Sequence, residues 1–81
     1  MQNKSFLEKF NKFEPSQDQY LILNSIEDYS LKLSREERII EARIQLPSLV
    51  NKSKLYEIER DIAAAYELRY VKLLPQYPSE L

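Results

Sequence analysis

Hydrophobic residues recur at every second position in two stretches of the chain. Tyr29, Leu31 and Leu33 alternate with Ser30 and Lys32, while Ile40, Ala42, Ile44 and Leu46 alternate with Glu41, Arg43 and Gln45. A period of two puts one apolar set on one face of a strand, so both stretches are predicted as strands. The connection Ser34-Arg35-Glu36-Glu37 lacks the Asn-Gly or Asp-Gly of a two-residue turn, which predicts a four-residue loop around a type I turn. Such a hairpin sets Leu33 opposite Arg38, Leu31 opposite Ile40 and Tyr29 opposite Ala42, with both apolar sets on one face. A slip of one residue would bring Leu31 against Glu41.

Elsewhere the period is helical. Ser5-Phe6-Leu7-Glu8 fits the S-x-x-E capping box, and Phe6, Leu7, Phe10 and Phe13 then share a stripe until Glu14-Pro15 breaks it. A helix over residues 5–13 is predicted, its phenylalanines forming a core face rather than a ligand cage. Pro15 at a first helical position and the block Tyr20-Leu21-Ile22-Leu23 predict a further turn or two over residues 16–23. Pro47-Ser48 ends the second strand, and Asn51-Lys52-Ser53 offers N-caps to a main helix over residues 53–67. Its stripe is Leu55, Ile58, Ile62, Ala65 and Tyr66, with Glu57, Arg60 and Glu67 outside it. Tyr70 to Leu74 reads as a short strand closed by Pro75. The whole predicts an α+β fold of two layers: N-terminal helix or helices, β-hairpin, long helix and third strand. This α-β-β-α-β order is shared with type II KH domains.

Composition narrows the chemistry. Eighty-one residues, 43% hydrophobic and 31% charged, suffice for one domain over residues 1–81. Glycine is absent, which excludes GxGxxG, the P-loop and the GXXG loop with which a KH domain grips nucleic acid. Absence of histidine and cysteine removes the usual general base, the thiolate nucleophile and the commonest metal ligands, so no cofactor or metal is expected here. The carboxylate pairs Glu27-Asp28, Glu36-Glu37 and Glu57/Asp61 fall in a linker, at the hairpin turn and on an exposed helix face. They are expected to be solvated surface rather than a catalytic cleft.

Lysine and arginine number 12 against 13 acidic residues, a net charge of -1. That balance disfavours a protein whose affinity comes from neutralising phosphates. Residues 31–54 are nevertheless basic, and Lys32, Arg35, Arg38, Arg43, Lys52 and Lys54 are the candidate phosphate contacts of an alternative reading as a small nucleic-acid-binding module. Among six tyrosines, Tyr29, Tyr56 and Tyr66 lie at or beside core positions, leaving Tyr20, Tyr70 and Tyr77 as candidates for a partner surface. Neither a spanning segment nor a signal peptide is visible, so a cytoplasmic protein without a membrane partner is expected.

Residues 46–81 carry the specific part of a family resemblance, and the hairpin at residues 29–46 fits the same layout. Leu46-Pro47-Ser48-Leu49, Leu55-Tyr56-Glu57-Ile58-Glu59, Ile62-Ala63-Ala64-Ala65-Tyr66-Glu67-Leu68 and Val71-Lys72-Leu73-Leu74-Pro75-Gln76-Tyr77-Pro78-Ser79-Glu80-Leu81 together resemble the N-terminal region of the PolC-type DNA polymerase III α subunit of Firmicutes. In that family a hairpin precedes a helix ending in "AYGL"-like residues and a strand ending in "P-x-Y-P". The resemblance covers about two-thirds of the chain, residues 1–25 matching only in being helical and apolar. Glu67 departs from it, standing where a helix-ending glycine is expected.

The resemblance implies the accessory N-terminal domain of a DNA-directed DNA polymerase with a 3′-5′ exonuclease, a transferase of DNA replication. The catalytic carboxylates of such an enzyme lie beyond this segment. The segment itself is then non-catalytic and acts by protein interaction within the replisome, the clamp-loader τ subunit being a candidate partner. Nucleic acid would be held by the parent polymerase. Leu73-Leu74-Pro75-Gln76-Tyr77-Pro78-Ser79-Glu80-Leu81 accordingly reads as a domain exit: Pro75 blocks further pairing, Tyr77 packs back and Leu81 lacks its cover.

Overall fold

The computed structural model describes residues 6–78, apart from the side chain of Leu7, so the capping serine expected at Ser5 and the exit residues Ser79 to Leu81 lie outside the described residues. In chain order the elements are α1 (Phe6–Lys9), α2 (Gln17–Asn24), β1 (Asp28–Ser34), β2 (Ile39–Gln45), α3 (Lys52–Ala65) and β3 (Tyr70–Gln76). The sheet order is β1-β2-β3, with β1 antiparallel and β3 parallel to β2. A parallel neighbour needs a crossover, and α3 supplies it. The α+β class and the α-β-β-α-β order are those read from the sequence.

Alternation gives the sheet two unlike faces. Ile40, Ala42, Ile44, Val71 and Leu73 are buried on one, against Leu55, Ile58 and Ile62 of α3 and against Phe6, Phe10, Phe13 and Leu23 from the N-terminal segment. The phenylalanines do form a core face. Phe6 packs on Phe10 at 4.8 Å between centroids with the rings tilted by 38° and meets Tyr29 edge-on at 5.4 Å, while Phe10 meets Tyr66 edge-on at 5.8 Å. Burying each such ring stabilises the fold by roughly 1.5–3 kcal/mol.

Several predicted boundaries change. Among the described residues the first helix covers Phe6–Lys9 and does not run on to residue 13: the chain turns, Phe13 donating its N–H to the Phe10 carbonyl at 3.0 Å. Pro15 is not a first helical residue but precedes the N-cap, which is Ser16. Ser16 and Gln19 form a reciprocal S-x-x-Q box: the Gln19 N–H donates to Ser16 Oγ at 3.2 Å and the Ser16 N–H to Gln19 Oε1 at 2.9 Å. Gln19, only 2% exposed, also donates from Nε2 to Asp61 of α3 at 2.9 Å. That second bond requires an amide. Gln19→Ala should therefore cost about 1–3 kcal/mol in chemical denaturation. Gln19→Glu, neutral or helpful in an ordinary capping box, should destabilise as well, because it sets a carboxylate against Asp61.

The hairpin register also differs, by two residues: Leu33 faces Ile40, Leu31 faces Ala42 and Tyr29 faces Ile44. A shift of two keeps every side chain on its predicted face, which is why apolar patterning alone does not distinguish the two registers. The loop is Arg35–Arg38, one residue later than expected, since Ser34 and Ile39 are paired. Ser34 Oγ accepts the Glu37 N–H at 3.3 Å, and Arg38 closes the loop at φ 57°.

α3 starts with Asn51 as N-cap, its Oδ1 accepting the Ser53 N–H at 2.8 Å, and ends two residues earlier than predicted. At its end Glu67 N–H bonds Ala64 O at 3.3 Å and Leu68 N–H bonds Ala63 O at 2.8 Å, the Schellman pattern. Glu67 takes the left-handed position with φ 55°, where glycine is usual. The two left-handed residues are neighbours in space: Arg69 N–H bonds the Arg38 carbonyl at 2.7 Å, and Arg38 Nη1 reaches the Glu67 carbonyl at 3.5 Å.

Pro75 does not close β3, which runs on to Gln76 in register with Gln45. Leu46 N–H bonds Gln76 O at 2.9 Å, so Gln76, Leu74 and Lys72 direct their backbone groups at β2 and Pro75, Leu73 and Val71 direct theirs to the free edge. The missing proline N–H falls on that free edge and costs the ladder nothing. Beside it, Leu73 N–H donates to Glu59 Oε2 of α3 at 2.7 Å. One edge of the sheet is thus sealed by a proline and a helix carboxylate.

Candidate interaction surface

The sheet face away from the helices is uncovered. Strand register lays it out in rows: Ser34, Ile39 and Tyr70; Lys32, Glu41 and Lys72; Ser30, Arg43 and Leu74; Asp28, Gln45 and Gln76. Tyr70 is exposed there, and Ile39 and Leu74 are half-buried. Open depressions cross the face, one of about 280 Å³ among Ser30, Leu31, Lys32, Glu41 and Arg43, another of about 190 Å³ leading from Lys32 to Tyr70. Enclosed sites for drug-sized ligands occupy about 300–1,000 Å³ with most of the ligand surface buried. These depressions are open to solvent and enclose no ligand of that size.

Of the tyrosines predicted for a partner, Tyr20 is exposed on α2 and Tyr70 on the open sheet face, so they lie on opposite layers and form no common patch. Tyr77 is taken up by the fold: half-buried against the core, its hydroxyl accepts the Val50 N–H at 3.4 Å. Tyr56, expected beside the core, is 63% exposed on α3. Tyr66 instead packs inward, and its hydroxyl accepts the Lys12 N–H at 2.9 Å.

Nor do the basic residues converge. Lys32 and Arg43 stand on the open face, with Glu41 opposite Lys32 in the ladder. Arg35 and Arg38 are in the hairpin loop, whereas Lys52 and Lys54 open α3, near the other end of β2 and about 20 Å away by strand rise. Lys54 is further committed to Asp18 at 3.3 Å and Glu57 at 3.6 Å. Its pKa is raised above the ordinary lysine value, first by the hydrogen bond to Asp18 and then by the charge of Glu57. The segment that is contiguous in sequence is dispersed in space. Duplex DNA titrated with the chain at low and moderate salt should show a salt slope of no more than about one or two phosphate contacts. A steep slope, abolished by Lys32 and Arg43 substitutions, would restore the phosphate-track reading.

Three carboxylates of α3 have partners within the fold. Asp61 is held by Gln19 and by Arg60 Nε at 3.3 Å, Glu57 by Lys54, and Glu59 by the Leu73 amide. Among the described residues no group of acidic side chains could hold a metal ion, and no helix is long and apolar enough to cross a membrane. The Glu59 and Gln19 contacts were missed in the sequence, although Ser16-x-x-Gln19 is a readable capping signal.

Fold and surface define a small two-layer α+β domain with its reactive side chains spread over surfaces. No protein-family model matches the chain, and neither curated proteins nor solved structures returned a match.

Proposed function

We propose that the chain is a non-catalytic N-terminal accessory domain of a PolC-type replicative DNA polymerase III α subunit, acting in the cytoplasm through protein contacts in the replisome. The reading rests on the ordered resemblance of residues 46–81. What supports it is the role of those residues among the described ones: Leu46, Leu55, Ile58, Ile62, Val71 and Leu73 are core, Glu67 ends the helix and Tyr77 clasps Val50. A resemblance carried by fold-determining positions is a resemblance of the domain as a unit. The open sheet face, mixed in charge and carrying Tyr70, is the surface such a domain would offer a partner.

The test is a titration of isotope-labelled chain with replisome subunits, the clamp-loader τ subunit first, followed by amide shifts. Perturbations that trace Ile39, Tyr70 and Leu74 are expected. Absence of shifts with every subunit would overturn the docking role, and a reading frame that stops directly after Leu81 would overturn the polymerase assignment.

A further inference from the structure

β3 is an apolar strand at a sheet edge. Tyr70-Val71-Lys72-Leu73-Leu74 carries a single charge, and unpaired backbone groups beside such a β-prone run can template another strand. By alternation its outward groups belong to Val71, Leu73 and Pro75. Two of those three residues offer no donor: Pro75 has no N–H, and the Leu73 N–H is taken by Glu59 Oε2 at 2.7 Å. The carboxylate also stands where a further strand would have to lie, about 4.8 Å from β3. On the opposite edge the Tyr29 N–H is likewise bonded to a carboxylate oxygen, Asp28 Oδ1 at 2.9 Å. Glu59 comes from farther off, 14 residues away on α3, and the Leu73 amide is its only partner among the described residues. Without it, water would satisfy an edge N–H, so the bond gives folding little that solvent does not. What solvent does not do is keep a second strand away.

We propose that Glu59 is a guard on the β3 edge: its carboxylate keeps the chain from pairing strand to strand with a second copy of itself, and Pro75 completes the block. With both removed, β3 can pair antiparallel with β3 of a second copy about a two-fold axis at Leu73. Leu73 then faces Leu73 and exchanges both N–H···O bonds, while Val71 faces position 75. On the open face Tyr70 faces Gln76 and Lys72 faces Leu74, so no like charges stand directly opposite. The strand is thus self-complementary, and only the guard and the proline hold it apart. This role is independent of the polymerase reading.

Sedimentation equilibrium of the 81-residue chain and its variants tests it. The unaltered chain should stay at 9.7 kDa up to about 1 mM. Each substitution restores a donor twice in a two-fold seam, so Glu59→Ala should raise the association constant at least about tenfold, and Pro75→Ala added to it about tenfold again. The mean mass of the double variant should then climb towards twice that of the monomer by about 1 mM, and exchange of the Val71 amide should slow as concentration rises. Glu59→Gln, whose amide oxygen can still accept the Leu73 N–H, should stay monomeric. Asn51→Ala weakens the same helix at its N-cap and leaves the edge closed, so it should stay monomeric too, which separates an opened edge from lost folding. A double variant monomeric to about 1 mM, or an unaltered chain that associates as strongly as the double variant, overturns the proposal. So does Asn51→Ala associating as strongly as Glu59→Ala, or protection gained at Leu31 instead of Val71.

Discussion

Ile62→Ala should remove about 2–5 kcal/mol of unfolding free energy. Ile62 is fully buried, facing the sheet one turn beyond Ile58 on α3, where the crossover helix meets β2 and β3. Truncation there loses the transfer energy of the deleted carbons and leaves a cavity that a helix pinned at both ends cannot close. Asn51 fixes its start and the Schellman bonds fix its end. An 81-residue domain has about 4–12 kcal/mol in all, so the variant would approach the unfolding threshold. Its melting temperature should fall by about 4–8 °C for each kcal/mol lost. Tyr56→Ala on the opposite side of the same helix should change stability by no more than about 0.5 kcal/mol. Urea denaturation of both variants checks the pair, and equal effects would mean that the helix faces the sheet differently.

Glycine should be gained rather than lost at two positions. A non-glycine residue in the left-handed region carries about 1–2 kcal/mol of strain, against about 0.5–1 kcal/mol of extra unfolded-state entropy that glycine brings. Glu67→Gly should therefore stabilise by up to about 1 kcal/mol and Glu67→Asn by less. Arg38→Gly should gain less than Glu67→Gly, because it gives up the guanidinium contact with the Glu67 carbonyl. Glu67→Val should destabilise, since a β-branched residue is poorest in that conformation. The ranking, read from melting temperatures, reports directly on backbone geometry at the junction where the hairpin loop meets the end of α3.

The inner face of β2 and the stripe of α3 are legible because burial enforces a period, and Leu55, Ile58, Ile62 and the Ile40, Ala42, Ile44 set are where that period places them, whereas on β1 the period is present but Leu31 and Leu33 stay exposed. A period does not encode register, strand order or contacts between distant residues. The hairpin register has the same facial pattern at a shift of two, and the observed loop closes on a left-handed Arg38, whose residue type gives no sign of it. Pro75 reads as a terminator until strand order is known, since only an edge strand can turn the missing donor away from its neighbour. Tyr56 and Tyr66 both read as lying at or beside core positions, yet the first is exposed and the second is partly buried against the core. The Glu59–Leu73 bond joins residues 14 apart through a helix and an edge, a contact with no local signature. The candidate surface was legible only as residue types: topology alone shows that Tyr70 and Lys32 share a face and that Lys54 does not belong to it.

Parallel pairing of β2 and β3 also sets the order in which the molecule can assemble. The hairpin closes across the short Arg35–Arg38 loop, and such hairpins form in about 1–10 μs. Ile39 and Tyr70, by contrast, are 31 residues apart in the chain (70 − 39) and cannot pair until α3 has formed and docked. The loop-closure entropy of that crossover is lost before any ladder bond rewards it, so the β2–β3 seam is expected to be the last part of the sheet to form. Folding rates should accordingly respond little to Leu73→Ala, whose burden falls on unfolding, and more to changes within the hairpin and α3.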